Sequence, residues 1–145
     1  KATRPWQHVL EPLSGYLQLA HELYLNKDLQ GEAFNFGPDA EQNQSVEKLI
    51  IELCKYWNTK DKKNKFYEIT NNIPFHEAKL LRLNCDKAFL HLKWNASMNF
   101  RETVEFTSKW YYDFYKLNNN MYDKTLKQIS DYENTAKEKF LKWTE

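Results

Sequence analysis

Arg4, Trp6, Gln7 and His8 crowd into the stretch Arg4-Pro5-Trp6-Gln7-His8-Val9, and Pro12 follows where an amphipathic helix begins. A guanidinium beside a wide indole, just ahead of a helix N-terminus, suits a phosphate and a flat or sugar-like ligand. The guanidinium grips phosphate oxygens in pairs, and the free amides of a helix end attract anions. Each residue also has a structural reading. Arg4 could form a surface ion pair or stack on Trp6, and Trp6 could belong to the core. Gln7 and His8 could bond backbone. A binding site placed this close to the first residue suggests the later part of a longer protein.

Other chemistry finds little support. The histidines His8, His21, His76 and His91 form no ligand pair of the His-Glu-x-x-His kind, so a metal site is not expected. Cys54 and Cys85 stand far apart, outside any Cys-x-x-Cys pair, and read as reduced and buried. The 145 residues carry 21 basic and 20 acidic groups, a net charge of +1, which gives no pull toward nucleic acid or an anionic membrane. No apolar run approaches the roughly 20 residues that cross a bilayer. The expectation is therefore a cytoplasmic protein with no nucleic-acid and no membrane partner.

The elements that must position these groups follow from periodicity. Leu13, Tyr16, Leu17, Ala20 and Leu23 repeat with helical spacing and predict a helix from Pro12 to about Leu25. Residues 33–37, with Phe34 and Phe36 on one face, read as a short strand, and residues 66–70 as another. Ser45 can cap a helix whose stripe is Val46, Leu49, Ile50, Leu53 and Trp57. Residues 59–65 read as a charged loop and residues 71–74 as a turn. Asp86 can cap a short helix with Phe89, Leu90 and Leu92. Asn99 and Glu102 form a capping-box pattern ahead of Val104, Thr107, Trp110, Tyr111 and Phe114. Asn118-Asn119-Asn120 breaks that helix. A last one runs from about Asp123 to Lys142 with Tyr122, Leu126, Ile129, Ala136, Phe140 and Trp143 near one face. The aromatic stripe Trp110, Tyr111, Phe114 and Tyr115 reads as core. The class is α+β, mostly helical, with about five helices and two short strands in one region, residues 1–145.

Three stretches carry a resemblance: Lys1-Ala2-Thr3-Arg4-Pro5-Trp6-Gln7-His8-Val9, Gly31-Glu32-Ala33-Phe34-Asn35-Phe36-Gly37-Pro38 and Pro74-Phe75-His76-Glu77-Ala78. They resemble the extended short-chain dehydrogenase/reductase family, nearest to its members that dehydrate CDP-D-glucose. Lys87-Ala88, Leu92-Lys93-Trp94, Thr107, Trp110-Tyr111, Gln128-Ile129 and Tyr132 extend the likeness over nearly the whole chain. It implies the C-terminal substrate-binding part of a Rossmann-type lyase that uses NAD. Such an enzyme oxidises the sugar at C4, eliminates water across C5 and C6, and returns the hydride to C6. The implied product is CDP-4-dehydro-6-deoxy-D-glucose, used in bacterial surface polysaccharide (O-antigen, lipopolysaccharide).

The family's glycine-rich dinucleotide loop is absent here, and Tyr112 and Lys116, though four apart, sit in the aromatic helix and read as packing. No catalytic, cofactor-binding or metal residue is therefore expected within the chain, which alone should be inactive. The missing partner is an N-terminal NAD-binding Rossmann domain, and a homo-oligomer is expected. Because the resemblance implies pairing of residues 33–37 with the Rossmann sheet, the chain alone is expected to self-associate or repack.

By the same resemblance the substrate-binding set is Arg4, Trp6, His8, Asn43, His76 and Glu77. Asn43 stands where related dehydratases contact the nucleotide phosphate, or else serves as a loop or cap residue. His76 and Glu77 stand where relatives reach the nucleotide, and Glu77 would read a ribose hydroxyl or the cytosine amino group. Lys93 replaces the family's usual glycine and should cost stability. Two other readings stay open: another nucleotide-sugar dehydratase or epimerase of the family, and a non-catalytic nucleotide-sugar-binding module.

Overall fold

The computed structural model describes residues 3–57, 67–68, 83–117 and 120–145. Among them five α-helices carry most of the chain: α1 (Leu10–Leu25), α2 (Val46–Tyr56), α3 (Asp86–Leu92), α4 (Phe100–Tyr112) and α5 (Met121–Glu138). Two short strands, β1 (Thr3–Pro5) and β2 (Asn43–Ser45), pair antiparallel with Thr3 opposite Ser45, Arg4 opposite Gln44 and Pro5 opposite Asn43. This is the mostly helical α+β class read from the sequence.

Cap chemistry sets most boundaries. The Ser45 hydroxyl accepts the Lys48 amide at 3.1 Å, and Asn99 and Glu102 close a full capping box at the start of α4. Pro12 lies in the third helical position, not the first. The first-turn amides of a helix have no intrahelical partner, so a residue without an N–H is tolerated there too. At α3 the cap is not Asp86: the Asn84 side chain accepts the Asp86 amide at 3.0 Å, and Cys85 takes the N-cap place. The last helix ends at Glu138, short of the expected Lys142. Phe140 adopts φ +53°, its amide bonds the Lys137 carbonyl at 2.9 Å, and the Leu141 amide bonds the Ala136 carbonyl at 3.2 Å. That is a Schellman closure, which stops the helix whatever the apolar spacing beyond it.

Lys93, at the end of α3, likewise takes φ +54°. A side chain is strained in the left-handed region and glycine is not. Lys93→Gly is therefore expected to stabilise the fold by about 1 kcal/mol, read from the urea midpoint.

Residues 33–37 are not a strand. Their alternation reflects burial of Phe36, which packs edge-on against Trp94 with ring centroids 5.0 Å apart. With no strand beside them among the described residues, the segment is held by side chains: Gln7 donates to the Phe36 carbonyl at 3.3 Å, and Asn35 donates to the Asn84 carbonyl at 3.1 Å. Of the second expected strand, 66–70, only Tyr67 and Glu68 are described, and neither is in a strand. The expected turn at 71–74 and loop at 59–65 lie outside the described residues, as do Asn118 and Asn119.

The core joins Leu29, Phe36, Ala88, Leu92 and Trp94, with Leu19, Leu23, Phe34, Ala96 and Trp143 packed around them. Gly15 of α1 touches it so closely that a Cβ there would lie 2.2 Å from the Phe36 ring. Only part of the apolar stripes of α1 and α5 turns inward: Leu23 packs on the core and Ala136 is buried, but most of each stripe is not. In α1 the buried residues are Glu11, Ser14 and Gly15, whereas Leu13, Tyr16 and Leu17 are exposed. In α5 Gln128, Tyr132 and Ala136 are buried while Tyr122, Leu126 and Ile129 face outward. Tyr111, Phe114 and Tyr115, expected in the core, are also exposed. Tyr111 lies in the last turn of α4, and Phe114 and Tyr115 in the π-helical turn after it (Asp113–Leu117), where Phe114 stacks on Trp110 and Tyr115 on Tyr111. Periodicity identifies an apolar face but not what covers it, and on these helices the polar face does the internal bonding.

Candidate functional site

A cleft of about 430 Å³ opens between the turn at residues 37–40, the Pro5–Asn43 pair of the ladder, the start of α3, and the segment that follows α3. Trp94, 1% exposed, closes it on the core side. Gly37 lets two backbones pass closely, since a Cβ there would meet Leu83 Cδ1 at 3.0 Å and Cys85 Sγ at 3.4 Å. The Cys85 thiol points at the Gly37 carbonyl at 3.7 Å. Burial pushes that thiol upward in pKa, so it is protonated and a poor nucleophile at neutral pH. Both cysteines are free and half-buried, less enclosed than expected.

The described lining carries the carboxylates of Asp39 and Asp86 and the amides of Asn43, Asn84 and Asn95, with no Lys or Arg. Asn43 Oδ1 is buried without a hydrogen-bond partner among the described residues. An acceptor left so costs about 1–3 kcal/mol, which a ligand O–H or N–H would recover. Carboxylates and amides beside an indole suit hydroxyl and amino groups, as on a sugar, a ribose or a base. They do not suit a diphosphate, which needs cations or free amides.

The structure distributes the expected binding residues. Asn43 lines the cleft. Arg4 lies opposite Gln44 in the ladder, so its side chain leaves the face opposite to Pro5 and Asn43, and its Nη1 donates to the Thr3 carbonyl at 2.8 Å. Trp6 donates to the Gln44 carbonyl at 2.9 Å. His8 lies in a separate, mostly apolar hollow of about 480 Å³ with Gln7, Val9, Trp110, Tyr111 and Ile129. His76 and Glu77 lie outside the described residues.

His8 is 7% exposed, with its ring edge-on to Phe106 at 5.7 Å and Nδ1 accepting the Leu10 amide at 3.4 Å. Burial lowers its pKa below the usual histidine value, so the folded chain holds the neutral ring. The unfolded chain then binds more protons in acid. Stability is complete above the ordinary histidine pKa and is lost as pH falls through that value toward the lowered one. His8→Asn, which keeps an acceptor for Leu10, is expected to flatten this slope in urea denaturations run from pH 7 to pH 5.

Sequence reasoning missed Asp39, Asn84, Cys85, Asp86, Trp94 and Asn95 as cleft residues. No local signal in the sequence brings residues 94–96 to residues 37–40. The three glycines do not make a dinucleotide cradle: Gly15 is packed on Phe36, Gly37 on Leu83, and Gly31 stands alone at φ +84°. The described residues therefore do not fit NAD. Among the described residues no group of three or more His, Cys, Asp or Glu could hold a metal ion. No described helix is long and apolar enough to cross a membrane.

No family model matches the chain. It is 36% identical over 129 residues to the CDP-glucose 4,6-dehydratase of Salmonella typhimurium, a match covering 89% of this chain and 34% of that protein. The chain thus spans about a third of the length of the curated relative it matches, and over that span it is related to a nucleotide-sugar dehydratase.

Proposed function

We propose that this chain is the C-terminal nucleotide-sugar-binding part of an NAD-dependent CDP-D-glucose 4,6-dehydratase. The observation that carries the reading is the 36% identity over 129 residues to an enzyme named for that reaction. The cleft supports it, because its amides and carboxylates suit the hydroxyl and amino groups of a nucleotide sugar. In this reading the cleft binds and orients the uncharged parts of the ligand, and Asn43 Oδ1 accepts a hydrogen bond from it. The described residues do not fit NAD, so no hydride step is routed through this chain. Dinucleotide binding and the catalytic groups belong to a Rossmann domain outside it. That domain or a second subunit covers the outward apolar faces of α1 and α5, and the whole enzyme works in the cytoplasm in surface-polysaccharide synthesis.

The test uses the longest natural chain that contains this sequence. With NAD it is expected to remove one water from CDP-glucose, seen by mass, and to favour CDP-glucose over UDP-, GDP- and dTDP-glucose by at least about 10-fold in kcat/KM. Preference for another nucleotide would move the chain to a sister activity, and absence of any turnover would refute the enzyme reading. Asn43→Ala is expected to raise KM for CDP-glucose by about 5- to 10-fold, the equivalent of one hydrogen bond.

A further inference from the structure

Glu11 is 1% exposed in α1, yet no hydrophobic or catalytic argument from the sequence places a carboxylate there. Its two oxygens receive the Ser97 amide at 3.0 and 2.9 Å, the Met98 amide, and the Tyr132 hydroxyl of α5 at 3.0 Å. A hydrogen-bond network meets at the same point: Trp94 Nε1 donates to Ser14 Oγ at 2.9 Å, Ser14 Oγ donates to the Glu11 backbone carbonyl at 2.8 Å and lies 2.9 Å from the Tyr132 oxygen, and Tyr132 donates to the Glu11 carboxylate. The segment bound in this way is continuous with Trp94, Asn95 and Ala96, which wall the cleft.

The carbonyls of that segment are held as well. Trp143 donates to Asn95 at 3.1 Å, Lys139 to Ser97 at 2.7 Å, and Gln42 to Met98 at 2.8 Å. Residues 95–98 form no ladder and no helix. Their course is fixed by side chains from α1, α5, the C-terminal turn and the residue before β2. Glu11 is the one group that binds two consecutive amides of the segment and also joins it to both α1 and α5.

We infer that Glu11 is a positioning residue for the cleft: it touches no ligand, but sets the path of residues 94–98 and so the distance between Asn95 and the facing Asn43 wall. The inference rests on reading the cleft as the nucleotide-sugar site. It makes Tyr132 and Ser14 the supports that orient the carboxylate, and it explains why the polar face of α1 is the buried one.

The test is a pair of two-dimensional NMR measurements on the longest natural chain that contains this sequence, with CDP-glucose as the probe. Val104→Ala is the control, because Val104 is buried in α4 and lines no part of the cleft. Glu11→Ala is expected to shift the amides of Asn95 and Ala96 as well as those of Ser97 and Met98, and to weaken CDP-glucose binding about 10-fold, as a small misplacement of a binding group does. Glu11→Gln, whose one oxygen can still accept both amides, is expected to restore most of both. If Glu11→Ala does not fold, Glu11→Asp draws the carboxylate back by one methylene and should give the same shifts. Movement confined to Ser97 and Met98, with affinity equal to that of Val104→Ala, overturns the inference. If wild type shows no CDP-glucose binding, the reading of the cleft falls, and the Asn95 and Ala96 shifts alone decide whether Glu11 positions its wall.

Discussion

Glu11→Ala is expected to lower the unfolding free energy by about 3–5 kcal/mol, because it strands two buried amides and leaves the buried Tyr132 hydroxyl with Ser14 alone. Single domains have about 5–15 kcal/mol in all, so the variant should be close to unfolded at moderate urea. The donors concerned are the Ser97 and Met98 amides and the Tyr132 hydroxyl. Glu11→Gln should cost much less, since an amide oxygen can still accept both backbone donors. Tryptophan fluorescence in urea measures both, and a loss below about 1 kcal/mol for the alanine variant would show that the clamp is dispensable.

The same carboxylate carries a pH signature. Burial raises its pKa above the ordinary carboxylate value, and the Ser97 and Met98 amides, Tyr132 and the Lys139 charge pull it back only in part. A raised pKa in the folded state means that the contribution is complete below the ordinary value and is lost as pH rises through the raised one. Burial and the Glu11 charge also push the Tyr132 hydroxyl upward, so it stays protonated and remains a donor. Glu11→Gln should therefore remove a fall in stability with rising pH in the acid range, opposite in sign to the His8 effect.

Trp94→Ala is the second large loss expected, about 3–5 kcal/mol, the usual cost of emptying an indole site in a core. Trp94 packs edge-on against Phe36, belongs to the central cluster, and donates to Ser14. Removing it opens a cavity and takes one donor from the network that meets at Glu11. Trp94→Phe keeps most of the volume and loses the N–H, so the difference between the two variants separates packing from hydrogen bonding. Because Trp94 and Glu11 share Ser14 and Tyr132, the double variant should lose less than the sum of the two single losses, by more than about 0.5 kcal/mol. Strict additivity would show that the network is two independent sites.

What could be read from the sequence was local. Helical spacing located the five described helices, and Ser45 and the Asn99–Glu102 pair marked the starts of two of them, since a cap needs only residues three positions apart. Among the boundaries missed, those at Phe140 and Asp86 were decided by a left-handed residue and by the Asn84 side chain. The strand reading of residues 33–37 failed because period-two burial and strand pairing are different things, and a ladder needs a partner that spacing cannot supply.

The site was less legible. Asn43 was readable as a candidate, but Asp39, Asn84 and Asp86 join it where Gly37 lets residues 37–38 pass against residues 83–85, and Asn95 joins it from the segment after α3. The composition of the chain, its helices and its likeness to a dehydratase family reside in neighbouring residues and were determined by sequence alone. Which face of α1 and α5 turns inward was decided by the tertiary structure. Burying Glu11, Ser14 and Tyr132 satisfies the backbone of residues 97–98, some eighty residues away from α1, and an unpaired buried amide costs as much as an apolar side chain gains.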